Sequence, residues 1–162
     1  MSRDYPSSQG GAAIGARLRR LSERIDREAE QIYKDAGVAF EQRWYGVINQ
    51  LATHGAMSVG DLAQVLGVTH VAISQVRASL EAAKLVETRA DFSDGRRRTL
   101  LLTASGKRLV KRLTPVWNAL NAASRELDRE AGGVIETLAR LEAALDREGL
   151  AERATGQLGI ST

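Results

Sequence analysis

Cysteine is absent from the 162 residues. That excludes disulfides, thiol redox sensing and thiolate metal sites, and it fits a reducing cytosol. Proline occurs twice, at Pro6 and Pro115, and aromatic residues make up only 4% of the chain, so helices must pack largely through Leu, Val and Ala. No apolar run approaches the roughly 20 residues that span a bilayer. The start of the chain also lacks the charged beginning and apolar stretch of a signal peptide. The expected location is cytoplasmic. Catalytic signatures are missing as well, with no phosphate-cradling Gly loop, nucleophile elbow or His-based metal spacing. Asp91 and Asp94 before Gly95 supply two of the ligands of a calcium loop without the rest. Neither an enzyme nor a cofactor nor a metal site is expected.

What is present is charge, unevenly spread. The net charge is +3, yet Thr69 to Arg112 holds ten Lys or Arg against four Asp or Glu, leaving the remainder net acidic. Positive charge concentrated in this way points to a polyanionic partner, an ordinary solvated basic face being the alternative.

The stretch Ser58 to Val86 reads as two helices joined by a tight turn. Ser58 followed by Asp61 is a weaker form of the Ser-x-x-Glu capping box. Leu62, Ala63 and Leu66 recur at helical spacing, and Gly67 suits a left-handed terminus. Thr69 caps the next helix, whose apolar stripe is Ile73, Val76 and Leu80. Its other face carries His70, Val71, Ser74, Gln75 and Arg77. These are poor core residues, but their side chains suit base edges and phosphates. The pattern is a helix-turn-helix whose second helix lies on DNA, although short αα-corners occur in other contexts.

The flanking segments complete an order of elements. Residues 1–12 are Ser, Gly and Pro punctuation and are expected to form a disordered tail. Ile14, Leu18, Leu21, Ile25, Ala29 and Ile32 then form a stripe on a highly charged helix that Gly37 ends. Val38, Phe40, Trp44, Val47, Ile48 and Leu51 form a second helical stripe, ended by His54-Gly55. After the helix-turn-helix, two short extended runs flank DFSDGRRR, and Asp94-Gly95 suits a tight hairpin turn. Such a hairpin is a wing. Thr103 and Ser105 restart a helix with Pro115 inside it, where a kink is expected. Gly132-Gly133 marks a break, and Val134, Leu138, Leu141 and Leu145 give a last stripe. The reading is mostly α with a small β-wing: a winged helix-turn-helix domain over 38–106, helices at 13–37 and 107–148, and a frayed end from 149 to 162. Apolar stripes so far apart in sequence favour a symmetric homodimer, a monomer with folded-back helices being the alternative.

At this point the chain resembles the MarR (multiple antibiotic resistance regulator) family of bacterial transcription regulators. The resemblance covers about Ala13 to Leu145. Its most specific part is DFSDGRRRTLLLTASG, which is similar to the family's wing, with Asp94 and Arg96 at the tip and Leu102, Thr103 and Gly106 in the signature that follows. Lys84 stands where family members commonly have Gly before the Leu-Val that ends the recognition helix. A left-handed cap at that position costs a non-Gly residue about 1 kcal/mol. The family's peroxide-sensing branch needs a thiol that this chain lacks.

The candidate DNA-binding residues are Thr69, His70, Val71, Ser74, Gln75 and Arg77 on the recognition helix, and Asp94, Arg96, Arg97 and Arg98 on the wing. Thr69 and the amides beside it suit a phosphate, Gln75 an adenine, Val71 a thymine methyl and Arg77 a phosphate. His70 is equally well read as a surface histidine. Arg96 suits a narrow minor groove, with Asp94 orienting it or the turn. Adjacent hairpin side chains face opposite ways, so the three arginines cannot share one groove. The resemblance also implies a small, often phenolic or anionic, effector between the dimer helices and the winged domain. Tyr33, Phe40, Arg43, Trp44, Tyr45 and Trp117 are the candidates for binding it, with plain core as the alternative reading. The expected function is sequence-specific binding of double-stranded DNA at an inverted repeat, as a transcriptional repressor. The alternative is a winged-helix protein–protein adaptor.

Overall fold

The first helix, α1 (Ile14–Asp35), ends where the sequence says it must. Gly37 takes a positive φ of 66°, and Val38 N–H turns back to the Tyr33 carbonyl at 2.9 Å, closing the helix with a Schellman turn. The computed structural model describes residues 9–90 and 98–159. The wing turn with Asp91, Asp94, Gly95, Arg96 and Arg97 lies outside the described residues, as do residues 1–8 and 160–162. Residues 10–12, expected within the N-terminal tail, instead belong to a 3-10 turn, Gly10–Ala13, whose last residue is buried.

The second apolar stripe is only partly helical. Val38 and Phe40 lie between helices and are buried while Ala39 between them is exposed, the alternation of an extended chain. A 3-10 turn, Gln42–Trp44, then leads into α2 (Tyr45–His54), which Gly55 ends at φ 81°. The stripe keeps its burial because either periodicity places these side chains inside.

A two-residue strand, β1 (Met57–Ser58), comes next, followed by α3 (Val59–Leu66) and α4 (His70–Ala82). The wing strands are β2 (Val86–Ala90) and β3 (Arg98–Leu102). All three strands form one antiparallel sheet in the order β1-β3-β2, with Val86 opposite Leu102, Thr88 opposite Leu100 and Met57 also opposite Leu100. β1 was not foreseen, since two residues are too few to display a period.

Then come α5 (Ala104–Glu130), α6 (Val134–Arg147) and α7 (Leu150–Leu158). Pro115 lies within α5, and Gly132 and Gly133 separate α5 from α6 with positive φ values of 81° and 86°. The end expected to fray from 149 is instead helical over Leu150–Leu158. Glu152 accepts the Gly149 N–H at 2.9 Å, and Arg153 donates to the carbonyls of Ala144 and Glu148 at 3.0 and 2.9 Å. These bonds satisfy groups that a helix break leaves bare.

The chain forms two compact units, residues 1–117 and 118–162. In the first, the buried core joins Val47, Ile48, Leu51, Leu62, Ile73, Leu80, Val86 and Leu100. It reaches beyond 38–106, taking Ala29 and Tyr33 from α1 and Leu113 and Trp117 from α5. Arg112 reinforces that reach by donating to the Gly37 carbonyl at 2.9 Å. The rest of the α1 stripe is open: Ile14, Leu18, Leu21, Ile25 and Ile32 are 39–52% exposed. In the second unit Leu127, Val134, Ile135, Leu145, Leu150 and Leu158 are exposed.

Candidate nucleic-acid interface

The helix-turn-helix is built by its caps. Ser58 Oγ accepts the Asp61 N–H at 3.1 Å while Asp61 Oδ2 accepts the Ser58 N–H at 3.2 Å, a reciprocal capping box at the start of α3. Gly67 ends α3 with φ 63°. Two residues later the Thr69 hydroxyl accepts the Ala72 N–H at 3.2 Å and starts α4. The motif is thus set by three side-chain oxygens, those of Ser58, Asp61 and Thr69, and one left-handed glycine.

α4 is divided lengthwise. Ile73 and Leu80 are buried on one side, whereas Thr69, His70, Val71 and Gln75 are exposed and Ser74 and Arg77 half-buried on the other. Val71, at 66% exposure, is an apolar side chain held in water. Such a residue next to Gln75 and Ser74 suits contact with a surface that is itself part apolar, as a base edge is. Arg77 departs from the simplest expectation. Its Nε is buried without a hydrogen-bond partner, 3.9 Å from Glu81 Oε2, so the guanidinium does not stand free in solvent. Arg98, the first residue of β3, is exposed.

The sides of α4 away from this surface are tied to the rest of the first unit. Trp44 Nε1 donates to Ser79 Oγ at 3.0 Å, and Arg43 Nη2 reaches the same oxygen at 3.3 Å. Arg43 Nε in turn donates to Glu41 at 2.6 Å. At the helix end Thr88 Oγ1 donates to Glu81 Oε1. None of Ser79, Glu81 or Thr88 was singled out from the sequence, since a lone serine or glutamate on a helix carries no signal of a partner distant in the chain.

Lys84 does take the left-handed conformation, with φ 58°, the only non-Gly residue to do so among the described residues. The segment that follows explains why the strain persists. Thr103 Oγ1 donates to the Lys84 carbonyl at 2.8 Å, with the Leu85 carbonyl at 3.2 Å, and accepts the Gly106 N–H at 3.1 Å. A Cβ on Gly106 would lie 2.2 Å from the Leu85 carbonyl oxygen. The leucine-threonine-glycine signature is therefore a clasp. It joins the end of α4 to the start of α5, and only glycine permits so close an approach.

The aromatic candidates for effector binding form one edge-to-face cluster. Ring centroids lie 4.8 Å apart for Tyr33 and Phe40, 5.7 Å for Phe40 and Trp44, 5.8 Å for Phe40 and Trp117, and 5.3 Å for Tyr45 and Trp117. Tyr33, Phe40, Trp44 and Trp117 are buried, and Arg43 and Tyr45 are exposed. Tyr33 donates to Gln42 Oε1 at 2.7 Å. Burial pushes the Tyr33 hydroxyl above its ordinary range, the adjacent Trp117 indole partly offsetting that. The Trp117 Nε1 itself is buried and meets no acceptor in regular hydrogen-bond geometry.

A capped two-helix turn, an exposed polar face on its second helix and a three-stranded sheet beside it define a winged helix-turn-helix protein. Residues 38–97 match the family model described as MarR family. That segment is similar to the MarR family over the second apolar stripe, the helix-turn-helix and the first wing strand. Similar solved structures agree on the fold. S. aureus MepR in complex with DNA is 20% identical with a TM-score of 0.67, covering 82% of this chain and 98% of its own. BpsR of Bordetella bronchiseptica, described as regulated in DNA binding by 6-hydroxynicotinic acid, is 22% identical with a TM-score of 0.65, over 80% and 92%. PcaV of Streptomyces coelicolor with its natural ligand is 22% identical with a TM-score of 0.62, over 89% and 98%. No curated protein matches the chain significantly. No helix among the described residues is long and apolar enough to cross a membrane.

Proposed function

We propose that the chain is a cytoplasmic, homodimeric repressor that reads an inverted repeat in double-stranded DNA. The observation that carries this reading is the two-faced α4, with Ile73 and Leu80 buried and His70, Val71 and Gln75 exposed beside the Thr69 cap. In this reading the start of α4 enters the major groove, Gln75 and Ser74 meet bases, and Thr69 and the amides it leaves free meet a phosphate. Arg96 of the wing enters the minor groove, Asp94 orients it, and Arg97 and Arg98 flank it on the backbone. MepR, a protein of the same fold, is described with DNA, which supports the assignment. The open α1 stripe supports the dimer, since burying it removes apolar surface from water at about 25 cal/mol per Å². Helices from 13–37 and 107–148 form that interface.

The repressor is relieved by a small aromatic acid bound at the Tyr33, Phe40, Arg43, Trp44, Tyr45 and Trp117 cluster. BpsR, described with 6-hydroxynicotinic acid, supports that ligand class. Arg43, exposed at the edge of the cluster, offers a cation to an aromatic carboxylate. An effector acts only through a difference in affinity for two conformations. The Trp44–Ser79 bond is the route by which that difference reaches α4.

Selection of bound fragments from random DNA tests the reading. It should return an inverted repeat with half-sites about one helical turn apart. Arg96→Ala should weaken binding to that site while the protein stays folded. Loss of one phosphate contact should flatten the log–log salt dependence by about 0.9. Selection that enriches no sequence would remove this reading and leave the adaptor. A thermal-shift series with aromatic acids, 6-hydroxynicotinic acid among them, that raises no melting temperature would remove the effector.

A further inference from the structure

Glu81 is an unexpected residue for a helix laid against phosphates, because a carboxylate there is repelled by them. It sits next in sequence to fully buried Leu80, so its backbone position is fixed by the core. Its two oxygens serve different elements. Oε1 accepts the Thr88 hydroxyl from β2, and Oε2 lies 3.9 Å from the Arg77 Nε one helical turn back. Thr88 lies on the same face of β2 as buried Val86 and opposite buried Leu100, so its hydroxyl is aimed inward under the helix. Arg77 and Glu81 are only 34% and 37% exposed at their side chains, and the Arg77 Nε is buried with no other acceptor.

We infer that Glu81 is a specificity-determining positioning residue: its one carboxylate fixes wing strand β2 against the recognition helix and withholds Arg77 from indiscriminate phosphate contact. This rests on the DNA-reading function proposed above. Two consequences follow from the geometry. The wing's base is held in register with the face that carries Ser74 and Gln75, so both readers fit one site together. The charge of Arg77 is part-neutralised, which lowers attraction to any duplex and leaves discrimination to the base contacts.

The test uses the full chain, the site recovered by selection and an unrelated duplex, with affinities measured over a salt series. Glu81→Gln keeps an acceptor for Thr88 but frees Arg77. The ratio of selected-site to unrelated affinity should fall by about fivefold, a coupling usual between neighbouring side chains. Its salt slope on unrelated DNA should steepen by about 0.9 as Arg77 takes a phosphate. Thr88→Val, which removes only the hydroxyl, should lower the selected-site affinity with no change of slope, and Thr88→Ser should restore it. Ratios and slopes equal to the unaltered protein's in both Glu81→Gln and Thr88→Val would overturn the inference while leaving the DNA reading intact. An unaltered protein that prefers no sequence would bring down both.

Discussion

Lys84 and Gly106 are the two backbone positions on which the end of α4 depends. Lys84 holds a left-handed conformation that costs a side-chain residue about 1 kcal/mol relative to glycine. Lys84→Gly should therefore raise the unfolding free energy by about 0.5–1 kcal/mol in urea titrations, with unchanged DNA affinity. Gly106→Ala goes the other way. Its methyl would press on the Leu85 carbonyl, and a loss of about 1–3 kcal/mol is expected from such overpacking. The sequence marks the position, a lysine where the resembled family commonly has glycine, but leaves the cap geometry open, and the structure supplies the left-handed φ. The clasp that opposes the strain is not legible in the sequence at all. That Thr103 reaches back nineteen residues to Lys84 is a tertiary fact, visible only once β2 and β3 are paired.

Tyr33 offers a second prediction at this scale. Burial raises its hydroxyl above the ordinary value, so the folded chain keeps a proton that the unfolded chain releases first. Stability is then lost as pH rises past about 10, where an unfolded tyrosine ionises. Tyr33→Phe should abolish that alkaline loss in denaturation curves measured across this range, at the expense of the bond to Gln42.

Among the elements, α4 is held more firmly than its own composition requires. Its back bears the Trp44–Ser79 bond, its last turn the Glu81–Thr88 bond and its end the Thr103 clasp. Ser79→Ala would leave the buried Trp44 N–H without its acceptor, and a destabilisation of about 1–2 kcal/mol is expected by thermal unfolding. If the aromatic cluster does bind an effector, the same variant should bind it normally yet respond less in DNA affinity. The helices themselves could be read because caps and stripes are local: Ser58 with Asp61, Gly67 and Thr69 all act within three residues. Misreadings arose where local pattern is ambiguous. Val38 and Phe40 fit both a helix face and an extended run, and α7 has too few large apolar residues to announce itself before Glu152 and Arg153 are seen bonding the preceding turn.

For the whole molecule, the open stripe of α1 decides the most. Ile25→Glu places a charge in the middle of it, on a residue already half in water, so the isolated fold should be unharmed. Sedimentation should show the unaltered protein as a dimer and this variant as a monomer. Its affinity for the selected inverted repeat should drop by about 100-fold or more, since two linked readers give way to one. A variant that stays dimeric would place the interface elsewhere.

Under the proposed homodimer, that same stripe makes concentration a thermodynamic variable for the fold. When association covers apolar surface that the single chain leaves wet, mass action favours the folded pair over separate unfolded chains. The melting temperature should then climb with each tenfold increase in protein, and simple dilution should act as a mild denaturant. A cell holding few copies would keep this protein closer to its unfolding threshold than a concentrated solution does.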